Sequence, residues 1–208
     1  MITGKRVVSR TNSDTDYISV ADAKTHLRVT STSDDAYIST LISMSLDMAS
    51  HYLGYELRES VVRYGFEELV GQPATINPLN GSPILIGNYI RVPSRVIDIE
   101  NVYYVSDDNA LTVFTDWIDE PEPLSNFGID IYLNSLPSNL TDAETKYVVE
   151  VTEGFGTNDF DASLKMACLL MIAQYYDNRQ NIIVGANVKE MPKNSEFLLD
   201  KHKISTFA

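Results

Sequence analysis

The chain has 208 residues, 44% of them hydrophobic and 22% charged, enough to bury a core without disulfides or a structural metal. Its single cysteine, Cys168, excludes an internal disulfide and a cysteine-based zinc site. The net charge is −13, and between Ile97 and Ala162 stand 15 Asp and Glu against Lys146 alone. Such a surface repels phosphate backbones and argues against a protein that grips DNA.

The first block reads as helix. Ser19 is placed to cap a short helix in which Val20, Ala23 and Leu27 recur at helical spacing. A polar stretch from Thr30 to Asp35 breaks the pattern. Ser33 or Asp34 can then cap a longer helix with the stripe Ile38, Leu41, Ile42, Ser45, Met48, Ala49 and Tyr52, ending at Gly54. Met1–Asp16 receives no assignment. With no apolar stretch among its first ten residues it is not expected to be a secretory signal.

The middle block changes period. Glu59–Leu69, Tyr89–Val92, Ile97–Val105, Leu111–Trp117, Gly128–Leu133 and Lys146–Thr152 are rich in Val, Ile, Tyr and Thr and are separated by turn residues. Ser106-Asp107-Asp108-Asn109 reads as a hairpin connection. The expectation is a mainly antiparallel sheet, curled into a small sandwich or barrel.

Helix returns at Phe160–Arg179, with Leu164, Cys168, Met171, Ile172, Tyr175 and Tyr176 on one face and Asp159 or Asp161 as cap. An irregular stretch, 180–193, precedes a short helix capped by Asn194, then an apolar tail. The fold expected is α+β. Residues 1–58 form an N-terminal arm and part of a helical bundle, 59–158 an inserted β-rich domain, and 159–208 the C-terminal helices and tail that complete the bundle.

The sequence yields little chemistry. His26, His51 and His202 are scattered and stand in no metal-binding frame. Gly154-Phe155-Gly156 lacks the rest of a phosphate loop and reads as a flexible turn from the last strand towards the next helix. Glu67-Glu68, Asp107-Asp108 and Asp119-Glu120 are carboxylate pairs that could bind a cation or act as acid and base, but adjacent acids on loops are ordinarily solvated. Cys168, in an apolar run, reads as a buried thiol. No catalytic residue, cofactor or metal is expected, and no segment is apolar enough to span a membrane.

Two stretches together resemble a known family. The first runs Ile18-Ser19-Val20-Ala21-Asp22-Ala23-Lys24-Thr25-His26-Leu27-Arg28-Val29, then Asp34-Asp35, then Ile38 to Leu53-Gly54-Tyr55-Glu56-Leu57. The second runs Leu164-Lys165-Met166-Ala167 through Tyr175-Tyr176-Asp177-Asn178-Arg179, then Val184-Gly185, Met191-Pro192 and Phe197-Leu198-Leu199. Their order is similar to that of tailed-phage head–tail connector (adaptor) proteins, the gp6-like family, in a longer branch with a β-rich insert. The resemblance covers both ends, about half of the chain.

The resemblance implies a structural protein of the virion neck, made in the host cytoplasm. It implies a ring, typically of twelve copies, that binds the portal protein, extends the DNA channel and offers a platform to stopper or tail-completion proteins. Family C-terminal segments reach the portal or a neighbouring subunit. Leu198, Leu199, Ile204 and Phe207 are therefore the candidate contacts, though the same residues could instead close their own bundle. A channel wall should let DNA slide without sticking, so Asp107, Asp108, Asp119 and Glu120 are candidate channel-facing acids. Two other readings stay open: a tail-terminator or baseplate subunit, and a carbohydrate-active domain using paired carboxylates in a cleft.

Overall fold

A computed structural model describes residues 1–70, 75–76, 83–84, 89–119, 129–179 and 193–204. The chain divides into two compact units. One comprises Met1–Ser9, Ser60–Glu153 and Ile204–Ala208, the other Arg10–Glu59 and Gly154–Lys203. The fold is α+β, with terminal helices gathered in one unit and antiparallel strands in the other.

In chain order the strands are β1 (Ile2–Arg10), β2 (Ser60–Phe66), β3 (Thr75–Ile76), β4 (Pro83–Ile84), β5 (Tyr89–Val92), β6 (Val96–Val105), β7 (Leu111–Phe114), β8 (Trp117–Asp119), β9 (Ile129–Leu133) and β10 (Tyr147–Glu153). A five-stranded sheet has the order β1-β2-β10-β6-β7, a three-stranded sheet β5-β9-β8, and β3 pairs with β4. In β2 and β10 buried positions alternate with half-buried ones, as one covered sheet face requires. Val149 sits between Tyr64 and Val102 across antiparallel neighbours.

Val62, Tyr64, Phe66, Val102, Tyr147, Val149 and Val151 of the larger sheet join Ile90, Val92, Ile129, Ile131 and Leu133 of the smaller in one cluster. The two sheets thus share a core in the manner of a small sandwich. Each fully buried aliphatic side chain contributes about 1.5–3 kcal/mol.

Two features of this unit differ from expectation. The run Leu111–Trp117 is not one strand. It divides into β7 and β8, which lie in different sheets. Asp116, between them, accepts from the Asn134 side-chain amide at 3.2 Å and from the Ser135 hydroxyl, while its carbonyl accepts from the Asn134 N–H at 3.0 Å. These bonds hold the chain at the point where it leaves one sheet for the other. The second feature is β1, a nine-residue edge strand in the segment that receives no assignment from sequence. The Glu67 N–H bonds to the Met1 carbonyl near one end, and the Thr11 N–H to the Glu59 carbonyl just past the other, so β1 and β2 run in opposite directions.

The helical unit contains α1 (Asp14–Tyr17), α2 (Val20–Leu27), α3 (Asp35–Leu53), α4 (Ala162–Asp177) and α5 (Lys193–Leu199), then a 3₁₀ turn, Asp200–His202. Ser19 caps α2 by accepting from the Asp22 N–H at 3.1 Å. Asp161 caps α4 through the N–H groups of Ser163 and Leu164 at 2.7 and 2.9 Å. Gly54 ends α3 at φ 81°, a conformation that glycine adopts without Cβ strain.

Asp34 stands at the N-terminus of α3, but its carboxylate does not cap the helix. It accepts instead from the Tyr176 hydroxyl at 2.5 Å and from Arg179 at 2.8 Å, which ties the start of α3 to the end of α4. Asn194 is not a cap either, since α5 already includes Lys193. Between the helices, Ile38, Leu41, Ile42, Leu46 and Ala49 of α3 are buried, as are Leu164, Ala167, Cys168, Met171 and Ile172 of α4 and Leu199 of α5.

Candidate functional site

Among the described residues, the helical unit carries a buried cation with several carboxylates. Arg58 is 1% exposed. Its guanidinium donates to Asp14 at 2.8 Å, to Glu56 at 2.9 Å and to Asp47. Arg10 stands 3.5 Å from Asp47 and 3.8 Å from Glu56. Burial alone would raise the Asp14 pKa, but hydrogen bonds from Ser43 and Arg58 outweigh it and hold the carboxyl below its ordinary value. Arg58 and Arg10 offset most of the charge of the three acids, so the cluster is a tie between α1, α3 and the segment after α3. Arg58 receives no role from sequence. Its only signal is an arginine standing between two acids, Glu56 and Glu59.

Beside this tie, Gly154-Phe155 is not the flexible turn expected from sequence. The Phe155 N–H bonds to the Leu57 carbonyl, and the Glu59 N–H to the Phe155 carbonyl, both at 3.0 Å. Gly154 has φ 103°, and a Cβ there would lie 2.3 Å from the Arg58 carbonyl oxygen. The glycine is required by close backbone approach, not by a phosphate.

The candidate contact residues separate. Leu199 is fully buried in its own unit, so it closes the bundle and offers no contact surface. Leu198 and Ile204 are half-buried, and Phe207 lies outside the described residues. Phe197, which is not among the candidates expected from sequence, is 69% exposed. Ser195 and Leu199 occupy the buried side of α5, the Ser195 hydroxyl donating to the Ala167 carbonyl at 3.0 Å. A seven-residue amphipathic helix thereby leaves its aromatic outward.

The candidate acids separate too. Asp107 and Asp108 are exposed in the turn joining β6 to β7. Asp108 is held below the ordinary carboxylate range by hydrogen bonds from the Ser106 hydroxyl and the Ala110 N–H. Asp119 ends β8, its side chain outside the described residues, and Glu120 lies outside them altogether.

Three other acids of the segment 97–162 are paired with bases. Asp130 receives two bonds from Arg91 at 2.7 and 2.5 Å. Glu150 pairs with Arg63, and the fully buried Glu153 with Lys5 at 2.8 Å. The acidic surface is therefore smaller than the acid count suggests.

Among the described residues no group of His, Cys, Asp and Glu is arranged to hold a metal ion, and no helix is long and apolar enough to cross a membrane. A shallow cleft of about 680 Å³ lies along α2, lined by Val20, Lys24, Arg28, Val29 and Asp35 among others. Lys24 and Asp35 bridge at 2.7 Å within it. The Cys168 thiol is buried and pushed up to about 12 by that burial, which makes it inert as a nucleophile.

These features define an α+β protein in which Arg10–Glu59 and Gly154–Lys203 form a helical unit, while the middle of the chain, joined by Met1–Ser9 and Ile204–Ala208, forms a β-sandwich unit. Residues 17–80 match the family model of the Phage gp6-like head-tail connector protein, so the resemblance carried by α2 and α3 is shown over that stretch. No curated protein matches the sequence. Among solved structures, the chain is similar to one from the neck of the empty GTA particle computed with C6 symmetry. The TM-score is 0.71 at 18% identity, over 99% of this chain and 98% of that one. A chain from the virion of the native gene transfer agent (GTA) particle gives 0.66 at 18% identity, covering 98% and 97%. One from the neck of the native GTA particle computed with C12 symmetry gives 0.66 at 17%, covering 99% and 98%. At these identities the likeness is one of fold, along essentially the whole of each chain.

Proposed function

We propose that this chain is a structural adaptor of the virion neck in a tailed phage or phage-like particle, and not an enzyme. It forms a ring of twelve copies that binds the portal protein, extends the DNA channel and presents a platform to stopper or tail-completion proteins. The observation that carries this reading is the near full-length likeness to neck chains of the GTA particle, joined to the connector-family match at residues 17–80. A ring needs head-to-tail contacts between unlike patches. The exposed Phe197 beside the half-buried Leu198, with Ile204 and Phe207, supplies the contact towards portal or neighbour. Asp107 and Asp108, and with them Asp119 and Glu120, face the channel and keep DNA from adhering.

Mass measurement of the purified chain, alone and with its portal protein, tests the reading. The expected result is a twelve-copy complex on the portal. Binding to the tail tube and not to the portal would establish the tail-terminator reading instead.

A further inference from the structure

Among the described residues, neither edge strand of the five-stranded sheet pairs with a further strand, and the two edges differ in character. β7 reads Leu-Thr-Val-Phe, with Leu111 44% and Val113 54% exposed. It carries none of the charges, prolines or bulges by which monomeric proteins protect an edge strand from pairing. The exposed acids Asp107 and Asp108 stand at its head. At the other edge, β1 lies in a segment whose first thirteen residues hold Lys5, Arg6 and Arg10 and no acid. Lys5 and Val7 turn to the core side, Lys5 to Glu153 and Val7 against the shared cluster. Arg6 and Val8 are exposed. One edge is short, apolar and headed by acids. The other is long, basic and dotted with valine.

Strand direction adds a geometric match. Each neighbouring pair in the sheet is antiparallel, and the number of strands is odd, so β1 and β7 run the same way. In a twelve-fold ring each copy is turned by only about 30° from the next. A β1 set against the neighbour's β7 would therefore run parallel to it.

We propose that neighbouring copies join edge to edge, β1 of one adding as a parallel strand to β7 of the next, so that the sheet continues around the ring. This rests on the ring reading above. The seam is heterologous, as a closing ring demands. It places the Arg6 side of one copy near the acid-headed strand of its neighbour.

Cysteine cross-linking tests it in the full chain assembled on its portal. Val113 faces the outer side of the sheet, opposite Tyr103, and Arg6 and Val8 are the outward residues of β1. The variants are Val113→Cys with Val8→Cys, and Val113→Cys with Arg6→Cys. Within one copy the two edges lie roughly 19 Å apart, four strand spacings, beyond the reach of a disulfide. Any disulfide between these positions therefore joins two copies. The expected result is a ladder of covalent multimers with one of the two pairs and none with the single variants. Portal-bound rings that cross-link with neither pair overturn the seam and leave the adaptor reading standing. An unmodified chain that forms no ring overturns both.

A second comparison does not depend on cysteine. Val113→Lys should lower ring yield at least tenfold with the fold intact by circular dichroism. Leu136→Lys, equally exposed at 56% but outside every strand, should leave the yield unchanged. Equal yields from both variants also overturn the seam.

Discussion

Arg58 Nη1 lies 2.8 Å from Asp14 Oδ1, joining a residue just past α3 to the first turn of α1, 44 positions earlier. The guanidinium is almost wholly buried and also serves Glu56 and Asp47. Removing one partner of a buried charge cluster costs more than the cluster contributes as a whole, because the remaining charges stay desolvated.

Arg58→Ala should therefore destabilise the protein by about 3–5 kcal/mol, with Asp14 and Glu56 left facing one another. Chemical denaturation of both proteins measures this. A loss below about 1 kcal/mol, the worth of a surface pair, would contradict the burial argument.

Acid should weaken the fold. Asp14, Asp22, Asp34, Asp161 and Asp200 are all held below their ordinary values in the folded chain. The unfolded chain takes up protons near the ordinary Asp value of about 3.9, while the folded chain resists. The stabilisation is complete above that value and is lost as pH falls through the lower folded values. Denaturation midpoints should be flat from about pH 7 to about 5 and then fall. A midpoint unchanged down to about pH 3 would show that these contacts carry no net stability.

Lys5→Met tests the attachment of β1. Glu153 is fully buried and also accepts from the Tyr64 and Ser94 hydroxyls, so it keeps some of its bonds when Lys5 is lost. The expected cost is roughly 2–3 kcal/mol, that of a hydrogen bond to a charged group. Hydrogen exchange should accelerate most in β1 and in the edge of β2 beneath it. Uniform acceleration across the β unit would argue against a local tie.

The two glycines Gly154 and Gly4 should respond oppositely to alanine. At Gly154 the positive φ leaves alanine strained, and its Cβ would stand 2.3 Å from the Arg58 carbonyl oxygen. The loss should be roughly 3 kcal/mol or more. At Gly4 nothing lies within 4 Å of the place a Cβ would take, and alanine in a strand should be neutral or slightly stabilising, by about 0.5 kcal/mol. Melting temperatures of the two variants separate these outcomes.

Cys168 should resist thiol reagents at about pH 8 while the protein is folded and react at once in denaturant. Burial pushes its thiol up to about 12, and the reactive species is the thiolate. Labelling at least about a hundredfold slower than the unfolded chain is expected. Rapid native labelling would mean that the α3–α4 core opens readily.

Much of this molecule was legible in the order of its residues. The periods of α3, α4, β2 and β10 appear directly, because a side chain must face the core about every 3.6 residues in a helix and every second residue in a strand. Ser19, Gly54 and Asp161 announce helix ends because capping is a local hydrogen-bond problem, solved within about three residues. The terminal motifs carried the connector resemblance for the same reason, being built around those helices.

What the sequence did not disclose was decided by contacts between distant positions. Asp34 has the chemistry of a cap, but Tyr176 and Arg179, more than 140 positions away, compete for its carboxylate and win it. Leu199 is as apolar as Leu198, and only the direction of α5 against α4 buries one and half-exposes the other. β1 has no clear period of its own. It is a strand because β2 offers an edge and Glu153 a buried charge for Lys5. The acid excess between Ile97 and Ala162 was plain from composition, yet which acids face solvent depended on Arg91, Arg63 and Lys5 arriving from neighbouring strands. Local spacing determines which elements form. Long-range pairing of charges and edges determines what they leave exposed, and so what the protein can bind.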